Sequence, residues 1–258
     1  MNILKGQVVV VSGASRGLGE AMAVAFASEG ATVVLAARTE SDLNRVAERC
    51  RKAGATDVLT VPTDVTQESD VDALAQTTLD HFGALDVFVA DAGVSPMSVS
   101  GTQPGTLLSY DFDVVQHMFA VNAVGMWLCM KAALSRMSPG GSFIAIGSGT
   151  PGSTRGGMLS VTKSCVDMFV AIASKEMAEK NIRVNVLAPG GMADTHLFGP
   201  KGMPEYLKGL PAFVEVDVIV PAAVWLASRD SADVTGAQLT GVEFNSIGAE
   251  GVRSRLAA

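Results

Sequence analysis

Seven short apolar runs, spread along the whole chain and separated by helix-patterned segments, are the feature that most restricts the possible folds. They cover residues 8–11, 32–37, 58–61, 85–90, 142–146, 183–187 and 238–242. Their apolar character is continuous rather than alternating, as in strands buried on both faces of a parallel sheet. Helical patterns fill the gaps at 17–28, 40–53, 68–82, 112–137, 156–180 and 217–228. Strand and helix in regular alternation predict right-handed crossovers and a doubly wound α/β sheet. No linker, repeat or low-complexity segment interrupts the pattern, so residues 1–258 are expected to form one domain. Two Gly/Pro-rich stretches, 95–105 and 189–211, follow strand carboxyl ends. Ligands sit there in open α/β sheets, so loops near 95–111 and 189–211 are expected to cover a substrate.

Composition narrows the function classes. Of 258 residues, 48% are hydrophobic and 17% charged, which supplies a core and argues against disorder. The net charge of −7 disfavours binding to a phosphate backbone or an anionic bilayer, so neither nucleic acid nor membrane is an expected partner. No apolar run approaches the roughly 20 residues that span a bilayer. The N-terminal residues carry no signal-peptide pattern. Cys50, Cys129 and Cys165 show no metal-binding spacing and read as reduced thiols of a cytoplasmic protein.

The first apolar run ends in Ser12-Gly13-Ala14-Ser15-Arg16-Gly17-Leu18-Gly19, and a helical pattern follows. Glycines there allow a sharp turn and close backbone approach to a pyrophosphate. The helix N-terminus offers it free N–H groups and a positive dipole end. A hydroxyl residue followed by G-x-x-x-G-x-G resembles the T-G-x-x-x-G-x-G of the short-chain dehydrogenase/reductase family. Further marks agree in order. Asp64-Val65 follows the third run, where the family places its adenine contact. Ala90-Asp91-Ala92-Gly93 is similar to the family's N-N-A-G. Asn122, Ser148, Lys163, Pro189-Gly190 and Thr235-Gly236-Ala237-Gln238-Leu239 complete the series.

This resemblance covers about residues 5–244. It implies a single-domain, doubly wound Rossmann fold, with a parallel sheet of about seven strands and helices on both faces. It also implies a dinucleotide held by Gly13, Ser15, Arg16, Gly17, Leu18, Gly19, Arg38, Asp64, Val65, Ala92, Gly93, Lys163, Pro189 and Gly190. The nucleotide is expected to be NADP(H). Family members that prefer NAD place an acid at the end of the second strand; here the strand end is neutral and Arg38 follows. With Arg16 in the Gly-rich turn, two planar guanidinium forks are available for a 2′-phosphate.

The family's catalytic tetrad is Asn, Ser, Tyr and Lys, with Tyr four residues before Lys on one helix face. Asn122, Ser148 and Lys163 match it, but residue 159 is Leu and has no proton to give. The stretch between Ser148 and residue 159 is also about two residues shorter than in the family. Ser148 serves equally well as a strand-end turn residue. Asp91 departs from the motif and puts a carboxylate beside the expected cofactor. Tyr206 and His196, in the loop after Pro189-Gly190, are the candidate replacement donors; Tyr110 reads as packing.

Three functions stay open: an NADP(H)-dependent oxidoreductase of carbonyl or alcohol substrates with an atypical active site, a non-redox catalyst such as an isomerase, dehydratase or cyclase, and a non-catalytic subunit that pairs with an active relative. Met97, Leu107, Leu197, Phe198, Met203 and Leu210 in the covering loops point to a small, fairly apolar substrate. The resemblance further implies a homo-oligomer, dimer or tetramer, pairing its long helices.

Overall fold

The apolar runs assemble into a single parallel sheet in the computed structural model, which describes residues 2–101, 106–149, 157–199 and 201–258. The strands are β1 (Val8–Ser12), β2 (Thr32–Ala37), β3 (Asp57–Pro62), β4 (Val87–Ala90), β5 (Ser142–Ile146), β6 (Arg183–Ala188), a small pair β7 (Met192–Ala193) and β8 (Phe213–Val214), and β9 (Gln238–Thr240). The large sheet runs β3-β2-β1-β4-β5-β6-β9 and is parallel at every pairing. The helices are α1 (Gly17–Ser28), α2 (Glu40–Ala53), α3 (Glu68–Phe82), α4 (Pro96–Ser100), α5 (Phe112–Phe119), α6 (Met126–Leu134), α7 (Met158–Glu176), α8 (Glu205–Lys208), α9 (Val220–Ala227) and α10 (Gly241–Ala257).

Strand periodicity sends alternate residues to opposite faces. Val9 and Val11 of β1 enter the core shared with Met22 and Phe26 of α1, Leu43 of α2 and Leu226 of α9. Val8 and Val10 enter the other core, with Leu74 of α3, Met130 of α6 and Val166 of α7. The continuous apolar runs are thus explained by helix cover on both faces. The strand order reverses beside β1, whose neighbours β2 and β4 lead to opposite halves of the sheet. That reversal opens a crevice at the carboxyl ends of β1 and β4.

Four expectations need correction. Residues 241 and 242 are not strand: the chain turns at Thr240 into α10, which the sequence reading missed. The Thr240 hydroxyl accepts the Glu243 N–H at 3.1 Å as an N-cap. A Cβ on Gly241 would also lie 2.4 Å from the Val218 carbonyl oxygen, so only glycine fits that junction. The irregular stretch from residue 95 holds α4, formed by a reciprocal Ser95–Ser98 capping box with proline at its start. The helix expected over 112–137 is broken by a π segment, Ala120–Gly125. Its Phe112–Leu134 span, with mean hydropathy 1.2, is long and apolar enough to cross a membrane, contrary to expectation. The protein itself buries 67% of that window, as befits a core helix. The expected helix start at residue 156 lies outside the described residues.

The two covering loops meet. The Ser95 hydroxyl donates to the Leu197 carbonyl, which ties the start of α4 to the turn His196–Phe198 beyond β7.

Candidate functional site

The Gly-rich turn is built by close backbone contact. A Cβ on Gly13 would lie 2.7 Å from the Ala92 nitrogen, and one on Gly19 would lie 2.4 Å from the Gly13 carbonyl oxygen. Gly13 and Gly17 also take positive φ, at 75° and 59°. The turn therefore lies flat against the end of β4, and α1 starts with its N–H groups facing the crevice. Ser15, Arg16 and Leu18 sit on this turn, with Arg16 exposed at the N-cap of α1.

A buttress that the sequence reading missed supports the turn from behind. Arg45 of α2 donates to the Ser15 carbonyl at 2.8 Å and to both Glu20 carboxyl oxygens at 2.6 and 2.8 Å. Arg49 also donates to Glu20. Burial works to raise the Glu20 carboxyl, but these two arginines hold it below its usual range. Twenty-five residues separate Glu20 from Arg45, so no local pattern announces the pair. Thr195 is a second omission: its Cγ2 would lie 3.2 Å from a Cβ on Gly17, so the loop after β6 closes on the turn.

Arg38 is exposed just beyond β2. It lies near Asp64, whose Oδ1 accepts the Thr66 N–H at 2.9 Å and the Thr66 hydroxyl at 2.8 Å. Burial works to raise the Asp64 carboxyl; the Thr66 bonds, with Arg38 and His117, keep it low. Val65 is buried against the π segment, where a Cβ on Gly125 would fall 2.9 Å from Val65 Cγ2. Such π turns recur at functional sites because the extra residue re-aims its neighbours.

Asn122 lies within the π segment and is fully buried. Its Oδ1 accepts the Val94 N–H at 2.8 Å, and its Nδ2 donates to the Val94 carbonyl at 2.8 Å and to Thr162 Oγ1 at 3.0 Å. One side chain thus joins the loop after β4 to the π segment and α7. Lys163, 6% exposed, donates from Nζ to the Ile146 carbonyl at 2.6 Å. A Cβ on Gly93 would lie 3.4 Å from Asn122 Oδ1 and 3.5 Å from Lys163 Nζ. The bare glycine leaves room for a ligand to approach both groups. Burial pushes the Lys163 amine down, opposed by Asp91 and Asp167. Burial likewise pushes the Asp91 carboxyl up to about 7, against Lys163 and the Gly19 N–H, which favour its charged form.

Ser148 is half-buried two residues past β5, and Pro189-Gly190 ends β6, with Gly190 at a φ of 88° that suits glycine. Leu159 faces an apolar cluster with Val94, Met118, Met158 and Tyr110. The Tyr110 hydroxyl is buried there with no hydrogen-bond partner among the described residues, and Gly157 makes space for it: a Cβ would lie 2.8 Å from the phenol oxygen. His196 is exposed on its turn; Tyr206 lies on α8. Met97 and Met203 are buried, whereas Leu107 and Leu210 are exposed. The stretch 150–156, on which the shortened connection rests, lies outside the described residues. No cluster of metal-ligating side chains occurs among the described residues.

The arrangement suits a nicotinamide dinucleotide: a turn without Cβ atoms at a helix N-terminus, a cleared floor at Gly93, and a buried ammonium beside it. Comparison with known proteins agrees. Residues 7–204 match the family model described as short chain dehydrogenase. Glucose 1-dehydrogenase 2 of Bacillus subtilis is 32% identical over 247 residues, covering 92% of this chain and 93% of that protein. A mutant short-chain dehydrogenase/reductase from Serratia marcescens has TM-score 0.81 at 27% identity, covering 92% and 97% of the two chains. Carveol dehydrogenase from Mycobacterium avium, in complex with NAD, has TM-score 0.80 at 26% identity, covering 93% and 97%.

The Asn122 clamp has a measurable consequence. Asn122→Ala strips both backbone groups of Val94, at about 1–3 kcal/mol for each group left buried and unpaired, so the unfolding free energy is expected to fall by roughly 2–6 kcal/mol. Urea denaturation measures this. A loss below about 1 kcal/mol would mean that water takes over the bonds.

Proposed function

The chain belongs to the short-chain dehydrogenase family, and from that premise we propose that it is an NADP(H)-dependent oxidoreductase of a small, fairly apolar carbonyl or alcohol substrate, with an atypical active site. The observation that carries this reading is the convergence of Asn122 Oδ1 and Lys163 Nζ on Gly93, beside the Gly-rich turn. When bound, the nicotinamide supplies or accepts the hydride. Gly13, Ser15, Arg16, Gly17, Leu18 and Gly19 present the pyrophosphate with backbone donors and a dipole end. Ala92, Gly93, Pro189 and Gly190 line the crevice, and Asp64 and Val65 flank the adenine. Lys163, oriented by the Ile146 carbonyl, holds the nicotinamide ribose. Ser148 hydrogen-bonds the substrate oxygen, and Asn122 fixes the loop on which Gly93 sits.

The choice of NADP(H) rests on Arg16 and Arg38, both exposed, with Asp64 already engaged by Thr66. A carveol dehydrogenase relative carries NAD, so the two arginines bear this choice alone. NADPH is expected to bind about tenfold more tightly than NADH, roughly 1.4 kcal/mol. Arg38→Ala is expected to weaken NADPH binding and leave NADH affinity nearly unchanged, because only the 2′-phosphate loses one of its two forks. Calorimetric titration with both nucleotides decides the matter; equal affinities in the wild type would refute the arginine argument.

Leu159 favours a second reading, in which the scaffold serves a non-redox reaction or partners an active relative. The two readings part at this residue. Leu159→Tyr puts a phenol one turn before Lys163, and a positioned general acid is worth about tenfold or more, so ketone reduction is expected to rise by that factor. Steady-state kinetics on activated ketones, with NADPH binding checked in parallel, is the test. Normal NADPH binding without any gain would move the second reading ahead. In the wild type, Tyr206→Phe and His196→Ala separate the two candidate donors.

A homo-oligomer, in a cytoplasmic setting, completes the proposal. Trp127 of α6 and Met168 and Ile172 of α7 are 44%, 61% and 50% exposed, apolar area that a second copy would cover. Light scattering is expected to give a dimer or tetramer, and Trp127→Glu to shift it toward monomer. A monomeric wild type at micromolar concentration would overturn this.

A further inference from the structure

Asp91 stands where the family motif carries an uncharged Asn, and its surroundings give that charge a consequence. Its Oδ2 would lie 2.8 Å from a Cβ on Gly19, so the carboxyl is pressed against the second backbone unit past the last positive-φ glycine of the turn. It accepts the Gly19 N–H. That N–H belongs to the first turn of α1, where N–H groups have no partner within the helix. The carboxylate therefore already occupies part of the positive end that an incoming pyrophosphate needs.

We propose that Asp91 makes dinucleotide binding take up a proton: with the pyrophosphate on the Gly-rich turn, the carboxyl behind Gly19 is held in its neutral form. The inference rests on the cofactor reading above. The charges around Asp91 support it. From α7, Lys163 faces it, but that ammonium is shared with Asp167 and with the Ile146 carbonyl. From α1, Glu20 is engaged by Arg45 and Arg49 and offers no positive charge. Arg16 is exposed on the turn. From α6, Cys129 is a buried thiol pushed up to about 12, and stays neutral. Of the cations at the turn, Lys163 is the one that acts on the Asp91 carboxyl, and it is also drawn on by Asp167.

Without ligand, desolvation pushes the carboxyl up to about 7, against Lys163 and the Gly19 N–H. A pyrophosphate raises this value further, because a like charge disfavours the ionised form. The sign follows. Binding takes up protons, so affinity is highest below pH 7 and declines as pH rises above it. The decline reaches about tenfold or more between pH 7 and pH 9 if the bound state strongly excludes the carboxylate. Asn at this position accepts the same N–H from its amide oxygen and carries no charge at any pH.

The test is calorimetric titration of NADH into the intact wild type and Asp91→Asn from pH 6 to 9. NADH is the probe because its pyrophosphate does not titrate there, whereas a 2′-phosphate ionises near pH 6. Buffers of different ionisation enthalpy report proton uptake directly. The expected result is uptake of about half a proton at pH 7 in the wild type, none in Asp91→Asn, and tighter binding by the variant at pH 9. Circular dichroism and thermal melting verify that the variant is folded. PH-independent affinity in the wild type overturns the proposal. So does the same slope in both proteins, which would assign the proton to Lys163. Failure of both NADH and NADPH to bind at any pH would instead remove the cofactor reading, and this proposal with it.

Discussion

The contact between the Gly-rich turn and the end of β4 is the constraint on which the rest of the crevice depends. Gly13 meets Ala92 at a distance that no side chain allows, and Gly19 meets the Gly13 carbonyl in the same way. With the turn pressed flat, α1 starts at the level of the sheet edge and aims its free N–H groups across the strand-order reversal. Every other feature is arranged around that plane. Arg45 holds it from α2 through Ser15 and Glu20, Thr195 closes over Gly17, and Asp91 reaches Gly19 from the residue after β4. Loosening this contact would tilt the helix dipole away from any bound phosphate.

The far half of the crevice is organised by Asn122. A buried amide has to satisfy both its oxygen and its nitrogen, and here one neighbour, Val94, does most of it. The geometry needs the helix to bring the Asn side chain outward at the right height, which the π segment accomplishes by adding a residue to one turn. Gly125 at the end of that segment lets Val65 approach, so the same distortion serves the loops after β3 and β4. Lys163 completes the floor. Its ammonium is buried and donates to the Ile146 carbonyl, while the nearby Asp91 and Asp167 carboxylates favour its charged form.

Much of this was legible before any fold was known, for definite reasons. The strands could be read because burial on both faces forces runs such as Val8-Val9-Val10-Val11 to be wholly apolar. The bounds of α1, α2 and α3 were legible because glycine, a polar first turn or a charged last turn marks their ends. The turn residues could be read because glycine spacing reflects backbone clearance directly. By contrast, α10 was hidden: its start looks like the continuation of a strand, and only Thr240 capping Glu243 and the Gly241–Val218 contact reveal the turn into helix. The Glu20–Arg45 buttress was hidden because its members are distant in sequence.

The sequence by itself determined the alternation of buried strands and covering helices, the place of the Gly-rich turn, and the absence of a hydroxyl at residue 159. Each is a local property: apolar periodicity, missing Cβ atoms, or the chemistry of one side chain. Only the tertiary structure decided what those residues face. That Asn122 clamps Val94, that Lys163 and Asp91 act on each other's charge, and that the Tyr110 phenol oxygen lies buried beside Gly157 are results of packing between distant segments. Electrostatics in a crevice depends on burial and on the summed charges of several elements, and neither quantity exists along a chain until it folds.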